Sequence, residues 1–176
     1  MTYDLAFYEL ESQVARESAE VVLPWLFARH PQIWSVIDVG CGTGAWATQA
    51  GLLRRAAYGV DLGVPLDLTT CIYVDHDLTG GYDCVADLAI CLEVAEHLPA
   101  ESAEPLVRGL AQAELVLFSA ATPGQPGVGH INCQPHTYWH ALFADHGMTP
   151  TYVGGEFTDP VADFYRRNMY LYQWQH

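Results

Sequence analysis

Short, continuously apolar runs alternate with helix-length amphipathic segments along the 176-residue chain. The runs are WSVIDV (34–39), AAYGV (56–60), CIYVD (71–75), DLAICL (87–92), ELVLFS (114–119), TPTYVG (149–154) and NMYLYQW (168–174). In the central runs apolar residues follow one another without the strict alternation of a half-solvated strand. Both faces of those strands are therefore expected to be covered, as in a parallel sheet flanked by helices. The first 30 residues read as helix, with Val14, Ala15, Val21, Val22, Trp25 and Leu26 near helical spacing and Pro24 placed to bend it. HTYWHALFADHGM reads as a second helix, with Tyr138, Leu142 and Phe143 on one side and a stop at Gly147. The last run has no helix-length crossover before it and is expected to pair antiparallel with the run at 149–154. Residues 1–176 read as a single α/β domain, in which 1–33 form a helical segment over the binding cleft.

Composition narrows the function classes. Apolar residues make up 51% of the chain, enough for a sizeable core. No stretch approaches the ~20 apolar residues that cross a bilayer, and no basic start precedes an apolar segment. No membrane partner is expected, and the expected location is cytoplasmic. Five cysteines without a C-x-x-C pair argue against a disulfide framework and against a thiolate zinc site. Acids outnumber basic residues 21 to 7, and every basic residue is arginine. A Schiff-base lysine is thus excluded. A net charge of −14 repels phosphate backbones, and Arg54/Arg55 and Arg166/Arg167 are too few to offset it, so no nucleic-acid partner is expected.

VIDVGCGTGAW, Val36 to Trp46, carries the most specific signal. Gly40, Gly42 and Gly44 follow the first strand, where a glycine turn lets backbone and a helix N-terminus approach a ligand. Two cofactor classes use this device. GCGTGA fits a dinucleotide turn if Ala45 is its last member, whereas Asp38, two residues before Gly40, suits the ammonium of S-adenosylmethionine. In YGVDL, Asp61 ends the second strand and can accept from both ribose hydroxyls, with Leu62 against the adenine. Both classes use such an acid.

VIDVGCGTG, YGVDL, YVDHDL and DLAICLEVAEHLP, in this order and spacing, resemble the class I S-adenosylmethionine-dependent methyltransferases. The resemblance implies a Rossmann-like, doubly wound, mostly parallel seven-stranded sheet with the last strand antiparallel. It implies methyl transfer from S-adenosylmethionine, with Asp38 and the Gly40–Gly44 backbone, including Cys41 and Gly42, at the methionine part. It places Asp61 and Leu62 at the ribose and adenine, Asp77 and Leu78 at the adenine, and Cys91, Leu92 and Glu93 along the methionine sulfur. Cys71, Cys84 and Cys133 match nothing in the family's motifs and read as packing residues.

The stretch EVAEHLP bears on the chemistry. If a helix starts near Glu93, then Glu93, Glu96 and His97 share one face, and two carboxylates with an imidazole can bind a hard cation such as Mg²⁺. This E-x-x-E-H pattern resembles the metal-dependent O-methyltransferases of ubiquinone biosynthesis and of small-RNA 3′ ends, and His130 offers a fourth ligand. Acids in a first helical turn are also favoured by the helix dipole alone. His97, His130 and His136 are the candidate bases for an acceptor hydroxyl. The long loop 119–135 and the start of the helix after it concentrate His130, Asn132, His136, Tyr138, Trp139 and His140, which points to a pocket for a small-molecule acceptor. Tyr3 and Tyr8 are placed to close it. Two other readings stand beside this one: a dinucleotide-binding oxidoreductase domain, and a non-catalytic subunit that binds S-adenosylmethionine.

Overall fold

The computed structural model describes residues 5–64 and 71–175, with side chains from Ser12 onward. Tyr3 and the Tyr8 side chain lie outside the described residues. Helix α1 spans Leu5–Arg29 and continues through Pro24. Strand β1 (Ser35–Val39), helix α2 (Ala45–Leu52), β2 (Ala56–Asp61) and β3 (Tyr73–Asp75) follow. Then come β4 (Leu88–Leu92), α3 (Ala103–Leu110), β5 (Leu115–Ser119), α4 (His136–Asp145), β6 (Met148–Tyr152), α5 (Asp163–Asn168) and β7 (Tyr170–Trp174).

The seven strands form one sheet in the order β3-β2-β1-β4-β5-β7-β6. β1, β2, β3, β4 and β5 are parallel, and β7 runs antiparallel between β5 and β6. This is the Rossmann-like methyltransferase fold expected from the sequence. The pairing of the last two strands also holds, although the short helix α5 separates them where no crossover was foreseen.

The continuous apolar runs are explained by a layer on each face. Ala89, Cys91, Val116 and Phe118 belong to one core, with α3, α4 and Tyr172. Leu88, Ile90, Leu92, Leu115 and Leu117 belong to the other, with α1, α2 and α5. Successive side chains of one strand thus enter opposite cores. On the first face Phe118 packs edge-on to Phe143, and Phe143 stacks on Tyr172 with ring centroids 3.8 Å apart. At the base of the sheet, Asp87 Oδ2 accepts from the backbone N–H of Trp34 and Ser35 and from Ser35 Oγ, while Ser35 Oγ accepts from the Asp87 N–H. That exchange pins the start of β4 beside the start of β1.

Candidate cofactor and acceptor site

A cleft of about 680 Å³ opens at the carboxyl ends of β1, β2 and β4, the place where open α/β sheets bind ligands. The glycine turn forms its floor. Gly40 has φ +74°, and a Cβ there would overlap the methyls of Val94 in the loop after β4, so this glycine serves internal packing. Gly42, at φ +52°, has no neighbour within 4 Å of a built Cβ, and it is the position that stays open to a ligand. Gly44 caps α2 and sits against Cys71, outside the cleft wall.

Asp61 ties the turn to β2. Its Oδ2 accepts from the Gly42 N–H at 2.8 Å and its Oδ1 from the Leu62 N–H at 2.7 Å. Burial raises the Asp61 carboxyl above its ordinary range, although both backbone donors oppose the shift. Asp38 is buried beneath the turn, accepts from the Ala47 N–H at 3.2 Å, and is pushed up to about 8 by desolvation. Asp77 caps the short turn Leu78–Gly80 by accepting from the Thr79 N–H, which holds its carboxyl below the usual range.

Of the expected cofactor residues, Asp38, Gly40, Cys41, Gly42, Asp61, Leu62, Asp77, Leu78, Leu92 and Glu93 line the cleft. Cys91 does not. It is fully buried in the core behind the sheet, because the alternation of β4 turns Leu92 and not Cys91 toward the cleft. Ser12 and Ala15 of α1 also line the cleft, and Ser12 Oγ lies 2.5 Å from Thr43 Oγ1 in the glycine turn.

The helix expected from Glu93 is absent. Glu93 follows β4 in the left-handed region at φ +55°, and a single 3-10 turn, Ala95–His97, comes next before Leu98 becomes extended. Pro99 accounts for this, since the residue before a proline is driven out of the helical region. Glu93 and Glu96 consequently stay neighbours but take different settings. Glu93 lines the cleft and is pushed up to about 8 by burial, then by the neighbouring Glu96 charge. Glu96 is fully buried, with Oε1 accepting from the Ala121 N–H at 3.1 Å and its backbone oxygen accepting from Ile131 and Asn132. The long loop is thereby fastened to the turn.

This fastening brings His130 to His97. Their rings are 5.0 Å apart, His130 Nε2 lies 4.0 Å from Glu96 Oε1, and one ligand atom from each of Glu96, His97 and His130 lies within 4.8 Å of the others. Glu93 is not in that group. Glu96 Oε2 and His97 Nδ1 are buried without a hydrogen-bond partner, which is the state expected of atoms that face a ligand.

His136 is not brought to the cleft. It starts α4, with Nε2 donating to Asn168 Oδ1 at 3.3 Å and Nδ1 accepting from the Tyr170 hydroxyl at 3.4 Å. Asn168, which carries no motif in the sequence, donates in turn to Gln125 Oε1 at 3.0 Å and to Glu93 Oε1 at 3.4 Å. It is the residue through which α5 holds Glu93 and Gln125 of the long loop together. Trp46, Phe164 and Tyr165 complete the wall, with Trp46 edge-on to Tyr165 at 5.5 Å.

No protein-family model matches the chain. It is 33% identical over 108 residues to a ribosomal protein L11 methyltransferase of Pseudomonas putida strain W619, a match covering 60% of this chain and 35% of that protein. The chain thus matches about a third of the length of such curated relatives. Among solved structures it is similar to the S-adenosylmethionine-bound amino pentose methyltransferase CalS10 of Micromonospora echinaspora, at TM-score 0.72 and 14% identity over 99% of this chain and 98% of that one. The sugar N-methyltransferase KedS8 of Streptoalloteichus superimposes at TM-score 0.70 and 19% identity, over 100% and 94%. Magnesium protoporphyrin IX methyltransferase of Synechocystis, with bound S-adenosylhomocysteine, does so at 0.64 and 20%, over 98% and 87%. These neighbours and the matched relatives are methyltransferases, and the chain has their fold. Among the described residues no helix is long and apolar enough to cross a membrane.

Proposed function

We propose that this chain transfers the methyl group of S-adenosylmethionine to a small-molecule acceptor, at a hydroxyl oxygen. One observation carries the choice of cofactor. The cleft is walled by Asp38, Asp61, Asp77 and Glu93, and no arginine stands among the described residues that line it. With Asp77 held ionised, with acids that a cation can deprotonate, and with no arginine to meet a pyrophosphate, such a wall favours a ligand bearing ammonium and sulfonium charges over a dinucleotide. When bound, S-adenosylmethionine supplies an electrophilic methyl on sulfur.

The chain's own residues hold and orient. Asp38 and the glycine turn would face the methionine end, Asp61 the ribose, and Asp77 with Leu78 the adenine. His97 and His130 stand on the acceptor side of the cleft, where either can take the proton of a hydroxyl. His136 is assigned no proton transfer, since both its ring nitrogens are engaged away from the cleft. A volume of about 680 Å³ is in the range of small-molecule sites, and His97 and the exposed Val128 are among the residues that line it. Positioning in such a site provides much of the acceleration of an in-line methyl transfer.

A divalent cation is supported by a separate observation, the partnerless Glu96 Oε2 and His97 Nδ1 beside His130. These three residues, without Glu93, would hold it. Such an ion, Mg²⁺ among the choices, would polarise an acceptor oxygen.

The test is calorimetric titration of S-adenosylmethionine and of NAD, followed by mass spectrometry of a hydroxyl-compound panel incubated with the cofactor, with and without EDTA. S-adenosylmethionine is expected to bind, NAD is not, and a mass gain of one methyl is expected on a panel member. Preferential NAD binding would replace the reading with the oxidoreductase one. Cofactor binding without turnover on any acceptor would make the chain a non-catalytic subunit. Loss of turnover in EDTA, absent in Glu96→Ala because that variant is already inactive, is the signature of the cation.

A further inference from the structure

The two cysteines nearest the glycine turn do more than pack. Cys84 and Cys91 are core residues, but Cys41 and Cys71 belong to neither apolar cluster. Cys41 stands in the turn between Gly40 and Gly42, and Cys71 opens the segment leading into β3. Their thiols are neighbours that shift each other's proton affinity in opposite directions. Both sulfurs lie against Gly59 of β2, where a built Cβ would stand 2.5 Å from Cys41 Sγ and 3.1 Å from Cys71 Sγ. Glycine at 59 and at 44 leaves the space the pair occupies.

We propose that Cys41 and Cys71 are a modification site, a dithiol that a low-molecular-weight disulfide oxidises to a reversible bridge, and that the bridged form loses the cofactor. The proposal rests on the reading of the cleft as an S-adenosylmethionine site. Cys71 is the attacking sulfur. It is partly exposed, and the neighbouring Cys41 thiol, then the Gly59 and Cys71 backbone, lower its thiol below the ordinary range. Cys41 is raised by its Cys71 neighbour and by burial, so it keeps its proton and serves as the resolving thiol.

The exchange balances with oxidised glutathione as the oxidant. The Cys71 thiolate attacks one glutathione sulfur, the glutathione S–S bond breaks, and one glutathione leaves as thiolate. Cys41 gives up its proton to a departing thiolate and attacks Cys71 Sγ, the mixed disulfide breaks, and the second glutathione leaves. Two protein thiols are oxidised and one disulfide becomes two thiols.

The bridge reaches the cleft through Cys41. Drawing the sulfurs to the bonded distance of about 2 Å takes Cys41 Sγ from Gly42 O, to which it now donates at 3.4 Å. Gly42 is the residue whose N–H Asp61 holds. The turn and the acid at its rim are therefore displaced together. Cys71 itself is not on the cleft wall, so losing its sulfur leaves the reduced cleft intact.

The test treats the purified protein with oxidised glutathione, maps it by non-reducing mass spectrometry, and titrates S-adenosylmethionine into the reduced and oxidised forms. A Cys41–Cys71 peptide pair short of two hydrogens is expected, with binding weakened about tenfold or more and recovered in dithiothreitol. Cys71→Ser is expected to bind as the reduced parent does and to ignore the oxidant. A bridge between other cysteines, or none, overturns the proposal. Equal affinity of the bridged and reduced forms overturns the switch alone, whereas a reduced protein that binds no S-adenosylmethionine overturns the reading of the cleft and the switch with it.

Discussion

Asp61→Ala is expected to weaken S-adenosylmethionine binding by about a hundredfold or more, close to 3 kcal/mol, in calorimetry at neutral pH. Two losses combine. The Gly42 and Leu62 N–H groups lose the carboxylate that accepts from both, and hydrogen bonds to a charged group contribute about 1.5–3 kcal/mol each. That loosens the turn before any ligand arrives. The acceptor for the ribose hydroxyls goes as well. Asp61→Asn keeps one accepting oxygen and is expected to fall between the parent and the alanine variant. Because burial raises this carboxyl, the parent's own affinity should decline on acidification at a pH above the ordinary carboxylate range, as protonation removes an accepting oxygen. An alanine variant that binds like the parent would mean that no ligand is seated against β2, and the assignment of the cleft would have to be abandoned.

What could be read in advance, and what could not, divides along a physical line. Strands covered on both faces, such as β4 and β5, leave an unbroken apolar signature, whereas β3 and β6 are half-exposed and show only as short β-rich runs; the glycine turn is legible because its backbone needs are local. Parity was not legible. In a run such as DLAICL every residue is apolar, and only the register against β1 and β5 decides that Leu92 faces the cleft while Cys91 enters the core. The acidic spacing after β4 suits a helix, but Pro99 stops one before it forms, leaving a single 3-10 turn. Even so Glu96, His97 and His130 meet, through backbone bonds from Ile131 and Asn132 that no pattern announces. His136 is held off by Asn168 and Tyr170, and the meeting of Cys41 with Cys71 across a whole βα unit is likewise a long-range fact.

Asp38→Asn is expected to flatten the dependence of stability on pH. In the fold Asp38 keeps its proton up to about 8, chiefly because burial penalises the charge, whereas in the unfolded chain it ionises near 4. A folded pKa raised above the unfolded one contributes stability that is complete below about pH 4 and is lost as the pH rises through about 8. Between those values the folded state holds one proton more than the unfolded state, and stability falls by about 1.4 kcal/mol per pH unit from this group alone. Asparagine can still accept from the Ala47 N–H and has no proton to lose. Urea unfolding at a series of pH values between 5 and 8 should therefore show the variant losing less stability per unit than the parent, with Glu93, also raised to about 8, sustaining the remainder. The same retained proton predicts a result with ligand: an ammonium seated near Asp38 would favour the carboxylate, so binding at pH 7 should release protons, seen as an enthalpy that changes with the ionisation heat of the buffer. Parallel stability slopes for parent and variant would show that Asp38 is ionised in the fold, and the proton release on binding would then have no source at this residue.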